Sequence, residues 1–269
     1  MTILLKDIWN IEKTSDYKIH FARYGGYSQP LDVFVRNCNE WQGWQEYKPK
    51  RNDFNQQFIF SLMHFYHESE SWLFGGIYEV LERHNDCYSV QLTKQKREFI
   101  GRLKIRSDYK QRATRTRMEP YYSAFEVKEI LAEIYNGRKF PGYDAVHLSF
   151  EELEALISID QTNWKTALEN IKGIYLITDI SNGKHYVGSA YGNQGIWSRW
   201  KTYTITGHGG NKGINEYLEK KGLEYCRKNF YFTLLEHYFS KISDDQIISR
   251  ERFWKDVLVS RKLEGLNRN

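Results

Sequence analysis

The chain of 269 residues has only three cysteines, Cys38, Cys87 and Cys226, and they lie far apart. No CxxC pair and no Cys/His ligand spacing accompanies them. That argues against a zinc ribbon or a disulfide framework and leaves reduced, mostly buried thiols as the expectation. Long hydrophobic runs are missing too. The N-terminal MTILLKDIWNIEK has too short an apolar stretch for a secretory signal and is interrupted by Lys6 and Asp7. No stretch approaches the roughly 18 apolar residues of a membrane span, so a soluble cytoplasmic protein with no membrane partner is expected. There is also no Gly/Ser-rich linker, no internal repeat and no zinc-finger or helix-turn-helix pattern.

What is present leans toward an anionic partner. Net charge is +5 with a pI near 8.8, and aromatic residues make up 16% of the chain, enough to supply a binding surface as well as a core. The length allows one large domain or two modest ones. Residues 1–125 read mainly as strands: 32–35, 57–65, 72–81 and 87–92, spaced as in a small barrel or curled sheet. Gly75-Gly76 inside a strand pattern predicts a bulge or a close backbone approach. Trp41, Trp44 and Trp72 are candidates for stacking on a base, with core packing as the alternative.

Between 97 and 117 basic residues crowd together. Arg102, Lys104 and Arg106 alternate with Leu103 and Ile105, so one strand face should be cationic and the other apolar; Lys110, Arg112, Arg115 and Arg117 follow. These seven residues form a candidate phosphate track for DNA, the alternative being a solvated strand and loop. From Phe125 the periodicity turns helical over 126–135, with Gly137 placed to end the run. A capping-box pattern at Ser149 opens a second helix to about Ile157, and a third surrounds Trp164 to Leu168. Together they suggest a helical bridge over 126–168 that completes a first domain of 1–168, followed by a second domain of 169–269.

The second domain begins with two short strands. Gly173-Ile174-Tyr175 opens one and Tyr186-Val187-Gly188 sits in the other, with the Asn-Gly turn of Asp179 to Gly183 between them. A helix around 195–203, the Gly-rich loop Gly207-His208-Gly209-Gly210-Asn211, a short helix near 213–221 and a third strand at 229–236 follow. Ser243 and Gln246 form a capping box for a last helix. Strand, strand, helix, helix, strand, helix describes an α+β domain with a three-stranded antiparallel sheet. On the last helix Ile247, Glu251, Trp254 and Leu258 mark one core-facing stripe, so Glu251 takes a position that patterning gives to a hydrophobe. A carboxylate there needs neutralising, either by Arg250, Arg252 or another cation, or by a metal ion.

Tyrosines in two glycine-bounded tripeptides separated by residues 176–185, Arg199 and Tyr203 on one helix face, Glu251, and Asn267 in Gly265-Leu266-Asn267 resemble the GIY-YIG nuclease family over residues 172–269. Valine at the centre of the second tripeptide is a common variant of that pattern. The resemblance implies a metal-dependent phosphodiester hydrolase with Tyr175, Tyr186, Arg199, Tyr203, Glu251 and Asn267 as catalytic residues. It makes Glu251 the protein ligand to Mg²⁺ or Mn²⁺ and Tyr175 the candidate proton acceptor, with either tyrosine open for that role. Lys184, His208 and Asn211 are further DNA-contact candidates. The first domain loosely resembles the PUA-like group, some members of which read modified bases. A restriction or phage-defence enzyme acting on double-stranded DNA is then the leading expectation, with an RNA-cleaving nuclease or an inactive nucleic-acid binder as alternatives. One nuclease site cuts one strand, so double-strand cleavage implies a homodimer or sequential nicking.

Overall fold

Alternating and continuous apolar runs in the first half of the chain build one curled sheet. Its elements are α1 (Leu5–Ile8), β1 (Tyr17–Ala22), α2 (Pro30–Arg36), α3 (Cys38–Glu46), β2 (Phe58–His64), β3 (Ser71–Arg83), β4 (Tyr88–Leu92), β5 (Leu103–Arg106), β6 (Arg115–Arg117), α4 (Glu119–Tyr122) and β7 (Glu126–Ile130). The strands lie in the order β6-β1-β2-β3-β5-β7, and β4 pairs with β3 off this path. β1 and β2 are parallel, joined through α2 and α3, and the other pairs are antiparallel. The bulge expected at Gly75-Gly76 is there. Ser61 pairs with Gly76 and Leu62 with Phe74, so Gly75 is skipped, and a Cβ on Gly75 would lie 2.6 Å from the Trp41 ring. Trp41 Nε1 donates to the Gly75 carbonyl at 3.0 Å.

Two segments depart from their predicted type. Residues 32–35 are helical, within α2, although Val-Phe-Val favours a strand. Pro30 at the first helical position supplies a preset φ, and the helix buries Leu31, Val33, Phe34 and Val35 together. Residues 126–130 are β7 rather than a helix. The apolar residues there fit both periods, and pairing with β5 decides, setting Glu129 opposite Lys104 and Glu126 opposite Arg106. Of the cysteines only Cys226 is buried, while Cys38 and Cys87 are exposed at the start of α3 and before β4.

The structure, a computed structural model that describes residues 2–191, 195–239, 241–261 and 265–268, divides at Tyr135/Asn136 into two units. The second contains β8 (His147–Ser149), α5 (Phe150–Ser158), α6 (Thr162–Glu169), β9 (Ile171–Asp179), β10 (His185–Ala190), α7 (Gly195–Thr206), α8 (Lys212–Leu218), α9 (Gly222–Asn229), β11 (Phe230–Phe239) and α10 (Asp244–Val257). The helices expected in a bridge, α5 and α6, therefore belong to this unit. Leu153, Leu156, Trp164 and Leu168 share one core with Tyr175, Trp200 and Tyr203, so the first unit ends well before 168. The sheet has four strands, β10-β9-β11-β8, all antiparallel. β8 is an addition to the three expected strands, because its three residues carry no readable alternation. Both predicted N-caps form: Ser149 Oγ accepts from Glu152 N at 3.1 Å, and Ser243 and Gln246 bond reciprocally. The chain is thus mixed α+β, and no helix among the described residues is long and apolar enough to cross a membrane.

One unpredicted device anchors the β9–β10 turn. The Asp179 carboxylate, 1% exposed, accepts from Tyr217 and Tyr225 Oη at 2.7 Å each and from Ser181 Oγ at 2.6 Å. Burial alone would raise its pKa, but these bonds together hold it below the ordinary aspartate value. The hairpin is thereby tied to α8 and α9.

Candidate active site

The site grows from a clash that glycine avoids. Register pairs Gly188 of β10 with Tyr175 of β9, and a Cβ on Gly188 would lie 2.5 Å from Tyr175 Cζ. The tyrosine ring therefore crosses the strand where no side chain can stand. At the other end Gly173 lets β11 close in, since a Cβ there would meet the Glu236 carbonyl oxygen at 2.4 Å. Both glycines of the two tripeptides thus have steric reasons to be glycine.

α7 lies in the same core and adds the cation. Arg199 Nε donates to Tyr175 Oη at 3.1 Å, Nη1 to the Gly209 carbonyl at 2.8 Å and Nη2 to Asn211 Oδ1 at 3.1 Å. Its guanidinium sits 5.2 Å from the Tyr203 ring centroid, as the i, i+4 spacing predicts. Tyr175 and Tyr203 hydroxyls lie 3.0 Å apart, Tyr186 Oη donates to Asn211 Oδ1 at 2.8 Å, and Asn211 Nδ2 donates to Tyr203 Oη. Asn211, expected as a DNA contact, is the hub that joins Tyr186, Tyr203 and Arg199. The loop reaches that position because Gly209, at φ +56°, packs on Tyr203; a Cβ there would lie 2.7 Å from its ring.

Glu251 enters from α10. Ile247 is buried, and Trp254 and Leu258 pack against the Ile174–Val187 side of the sheet, so the predicted stripe does face inward. The Glu251 side chain is 13% exposed; its Oε1 lies 2.6 Å from Lys255 Nζ, and its Oε2 accepts from Ser189 Oγ. Arg250, one of the cations weighed for Glu251, pairs instead with Glu236. Neither Ser189 nor Lys255 is among the residues expected in the site, although the i, i+4 spacing of Glu251 and Lys255 is a signal for the pair. Asn267, 2% exposed, stitches the C-terminal segment to β10: its Oδ1 accepts from Val187 N at 3.0 Å and its Nδ2 donates to Val187 O at 2.8 Å.

These groups frame a polar cavity of about 470 Å³ lined by Tyr186, Ser189, Arg199, Asn211 and Glu251 among others. Tyr175 and Tyr203 do not line it; both are fully buried behind Arg199. Burial raises the pKa of Tyr175 despite Arg199 beside it, and burial likewise raises those of Tyr186 and Tyr203. All three are therefore hydroxyl donors near neutral pH, and Tyr186 is the one that reaches the cavity. Burial opposes the charge of Arg199, yet the surrounding tyrosine oxygens raise its pKa. Among the described residues no group of three or more His, Cys, Asp or Glu could hold a metal, so a metal here would rest on the single Glu251 carboxylate.

Other predicted contacts lie elsewhere. Lys184 sits at the turn end of the hairpin, outside the cavity lining, and His208 Nδ1 accepts from Gly210 N at 3.0 Å within its own loop. On the expected cationic strand face of the first unit, Lys104 and Arg106 meet carboxylates and Arg102 meets backbone carbonyls. Lys104, 4% exposed, bonds Glu68 and, at 2.7 Å, Glu129, over the Phe65 ring. Arg106 pairs with Glu126 at 3.5 Å, Lys110 with Glu70 at 3.7 Å, and Arg102 donates to the Leu131 carbonyl at 2.8 Å. Arg115 lies 4.3 Å from the Phe54 ring centroid and donates to the Tyr47 carbonyl at 2.7 Å. Arg112 and Arg117 are exposed without an acidic partner among the described residues. Trp41 and Trp72 are core, because each buries its rings and spends its indole N–H on a backbone carbonyl; Trp44 alone of the three lines a cavity. No family model, no curated protein and no solved structure matches this chain.

Proposed function

We propose that the chain is a metal-dependent DNA endonuclease that hydrolyses phosphodiester bonds, of the restriction or phage-defence kind, with its first unit reading the target. One observation carries the reading. Of the six residues selected by resemblance to GIY-YIG nucleases, Tyr186, Arg199 and Glu251 line a single polar cavity, Tyr175 and Tyr203 are hydrogen-bonded to Arg199 or to each other behind it, and Asn267 holds the Val187 backbone next to Tyr186.

The donor set fits Mg²⁺ or Mn²⁺. Glu251 and Ser189 offer hard oxygens on the wall of a polar space roomy enough for the waters such an ion keeps. When bound, the ion supplies Lewis-acid stabilisation of the phosphate and the leaving oxygen. Arg199 places a guanidinium on the cavity and neutralises charge growing on the phosphoryl oxygens, a role worth about 10²–10³ in rate for one such donor. Tyr186, whose hydroxyl reaches the cavity, orients the attacking water or a non-bridging oxygen. Tyr175 holds Arg199 from behind. Asn267 fixes the β10 backbone on which Tyr186 stands.

The test is cleavage of matched unmodified, methylated, hydroxymethylated and glucosylated DNAs, and of RNA, with and without Mg²⁺. Glu251→Ala should abolish cutting while gel-shift affinity for DNA changes little. Wild-type cutting by that variant would remove Glu251 from the site, and cutting of RNA alone would change the substrate.

A further inference from the structure

The first unit carries a second cavity, of about 810 Å³, within the roughly 300–1,000 Å³ range of small-molecule sites. Its walls are aromatic: Tyr27, Trp44 and Tyr47, with Tyr27 73% and Tyr47 66% exposed. Around them stand Arg23, Arg112 and Arg115 against one carboxylate, Asp53. Flat rings left open to water and flanked by cations are costly for a fold that needs only a core, and they suit a planar anionic ligand.

The polar groups of the lining discriminate further. β1 and β6 pair His20 with Arg115, placing both in this lining. His20 Nδ1 lies 2.7 Å from Gln45 Oε1, and Gln45 Nε2 donates to the Trp41 carbonyl at 3.3 Å. Nδ1 is therefore the donor, and Nε2 is left as an acceptor with no protein partner among the described residues. Burial, aided by Arg115, lowers the His20 pKa to about 3, so the ring stays neutral. Arg115 Nη1 is a buried donor that also lacks a hydrogen-bond partner. An acceptor and a donor set among aromatic walls match the edge of a heteroaromatic base better than a purely apolar ring.

We propose that this cavity takes one unstacked nucleotide of a nucleic-acid strand, its base against Trp44, Tyr27 and Tyr47 and its phosphate on Arg23 and Arg112. The choice of a nucleotide rests on the nuclease reading above, whereas the cavity and its unpartnered groups do not.

Gly43 provides a clean way to close the space. It lies in α3 on the cavity lining, and a Cβ there meets nothing within 4 Å. The full chain is titrated with dAMP, dCMP, dGMP, dTMP, 5-methyl-dCMP and 5-hydroxymethyl-dCMP, followed by saturation-transfer NMR on the base protons. At least one base should receive saturation. Trp44→Ala should weaken its dissociation constant by about tenfold, equivalent to about 1.4 kcal/mol, and Gly43→Phe should remove the signal. Arg112→Ala, at an exposed position, should weaken binding of the same nucleotide but not of its nucleoside. No saturation of any base, or a signal unmoved by both Trp44→Ala and Gly43→Phe in chains with wild-type circular dichroism, overturns the proposal. DNA cleavage is assayed on the same samples. Cutting without nucleotide binding rejects the cavity and keeps the nuclease, and binding without any cutting does the reverse.

Discussion

Lys255 Nζ lies 2.6 Å from Glu251 Oε1, one helical turn apart, and Lys255 is 4% exposed. The carboxylate proposed to hold the metal thus already has a cation on one oxygen and the Ser189 hydroxyl on the other. A divalent ion must share Glu251 with Lys255. Lys255→Met removes the cation and leaves the carboxylate short of a charge partner, at an expected cost of about 3–5 kcal/mol. Millimolar Mn²⁺ should then raise the Tm of Lys255→Met more than that of the wild type, because the ion takes over the neutralisation. Equal shifts in calorimetry would separate Glu251 from the metal.

Gly188→Ala is the sharpest test of the site's steric logic. The added Cβ would meet the Tyr175 ring at 2.5 Å, well inside contact distance. Overpacking should cost about 1–3 kcal/mol in urea unfolding and displace the Tyr175–Arg199 contact, lowering cleavage by about tenfold or more. An unchanged unfolding midpoint would mean the strand yields freely.

Asp179→Ala should destabilise the second unit by about 2–4 kcal/mol, because two tyrosine hydroxyls and Ser181 lose one buried acceptor. The wild-type contribution has a definite sign. With the folded pKa held low, it is present above the ordinary aspartate value and lost as pH falls through the folded one. Acid titration of wild type and variant should converge at low pH, and parallel curves would contradict the assignment.

His20 gives the first unit an acid sensitivity at a different pH. Its pKa falls from 6.5 to about 3 on burial, so the unfolded chain binds the extra proton. Stability should be complete above pH 6.5 and decline as pH drops toward 3. His20→Asn keeps a donor for Gln45 and should flatten that decline in urea midpoints measured from pH 7 to 4. A slope equal to wild type would show that His20 is not the titrating group.

The salt dependence of DNA binding should follow exposure, not the basic run as a whole. Arg112 and Arg117 lack acidic partners among the described residues, so Arg112→Ala with Arg117→Ala should reduce the slope of log affinity against log salt by about 2. Lys104→Met should leave the slope alone and cost stability, since Glu68 and Glu129 lose their shared cation. A slope that responds to Lys104 instead would put that lysine on the phosphate path.

Much of the candidate site was legible because its signals are local. Two glycine-bounded tyrosines around an Asn-Gly turn, an arginine and tyrosine four apart, and a glutamate on an apolar stripe each follow from strand or helix period. Less is legible where partners come from distant strands. Lys104 and Arg106 look like a cationic face until Glu126, Glu129 and Glu68 arrive from β7 and the β2–β3 loop, and Arg102 turns to the Leu131 carbonyl. Residues 126–130 look helical until β5 offers a complementary edge. Asn211 looks like a loop contact until Tyr186, Tyr203 and Arg199 close around it.

The hairpin, the caps of α5 and α10, the bulge at Gly75 and the residue types of the candidate site follow from local sequence, because backbone conformation and side-chain period are properties of neighbours in the chain. Packing alone settles which tyrosine reaches the cavity, that Ser189 meets Glu251, and that Trp44 but not Trp41 or Trp72 lines an open space. Those outcomes depend on burial and, for Ser189 and Glu251, on a hydrogen-bond partner 62 residues away, and a charge or ring has no fixed role until its surroundings set the cost of leaving it unpaired.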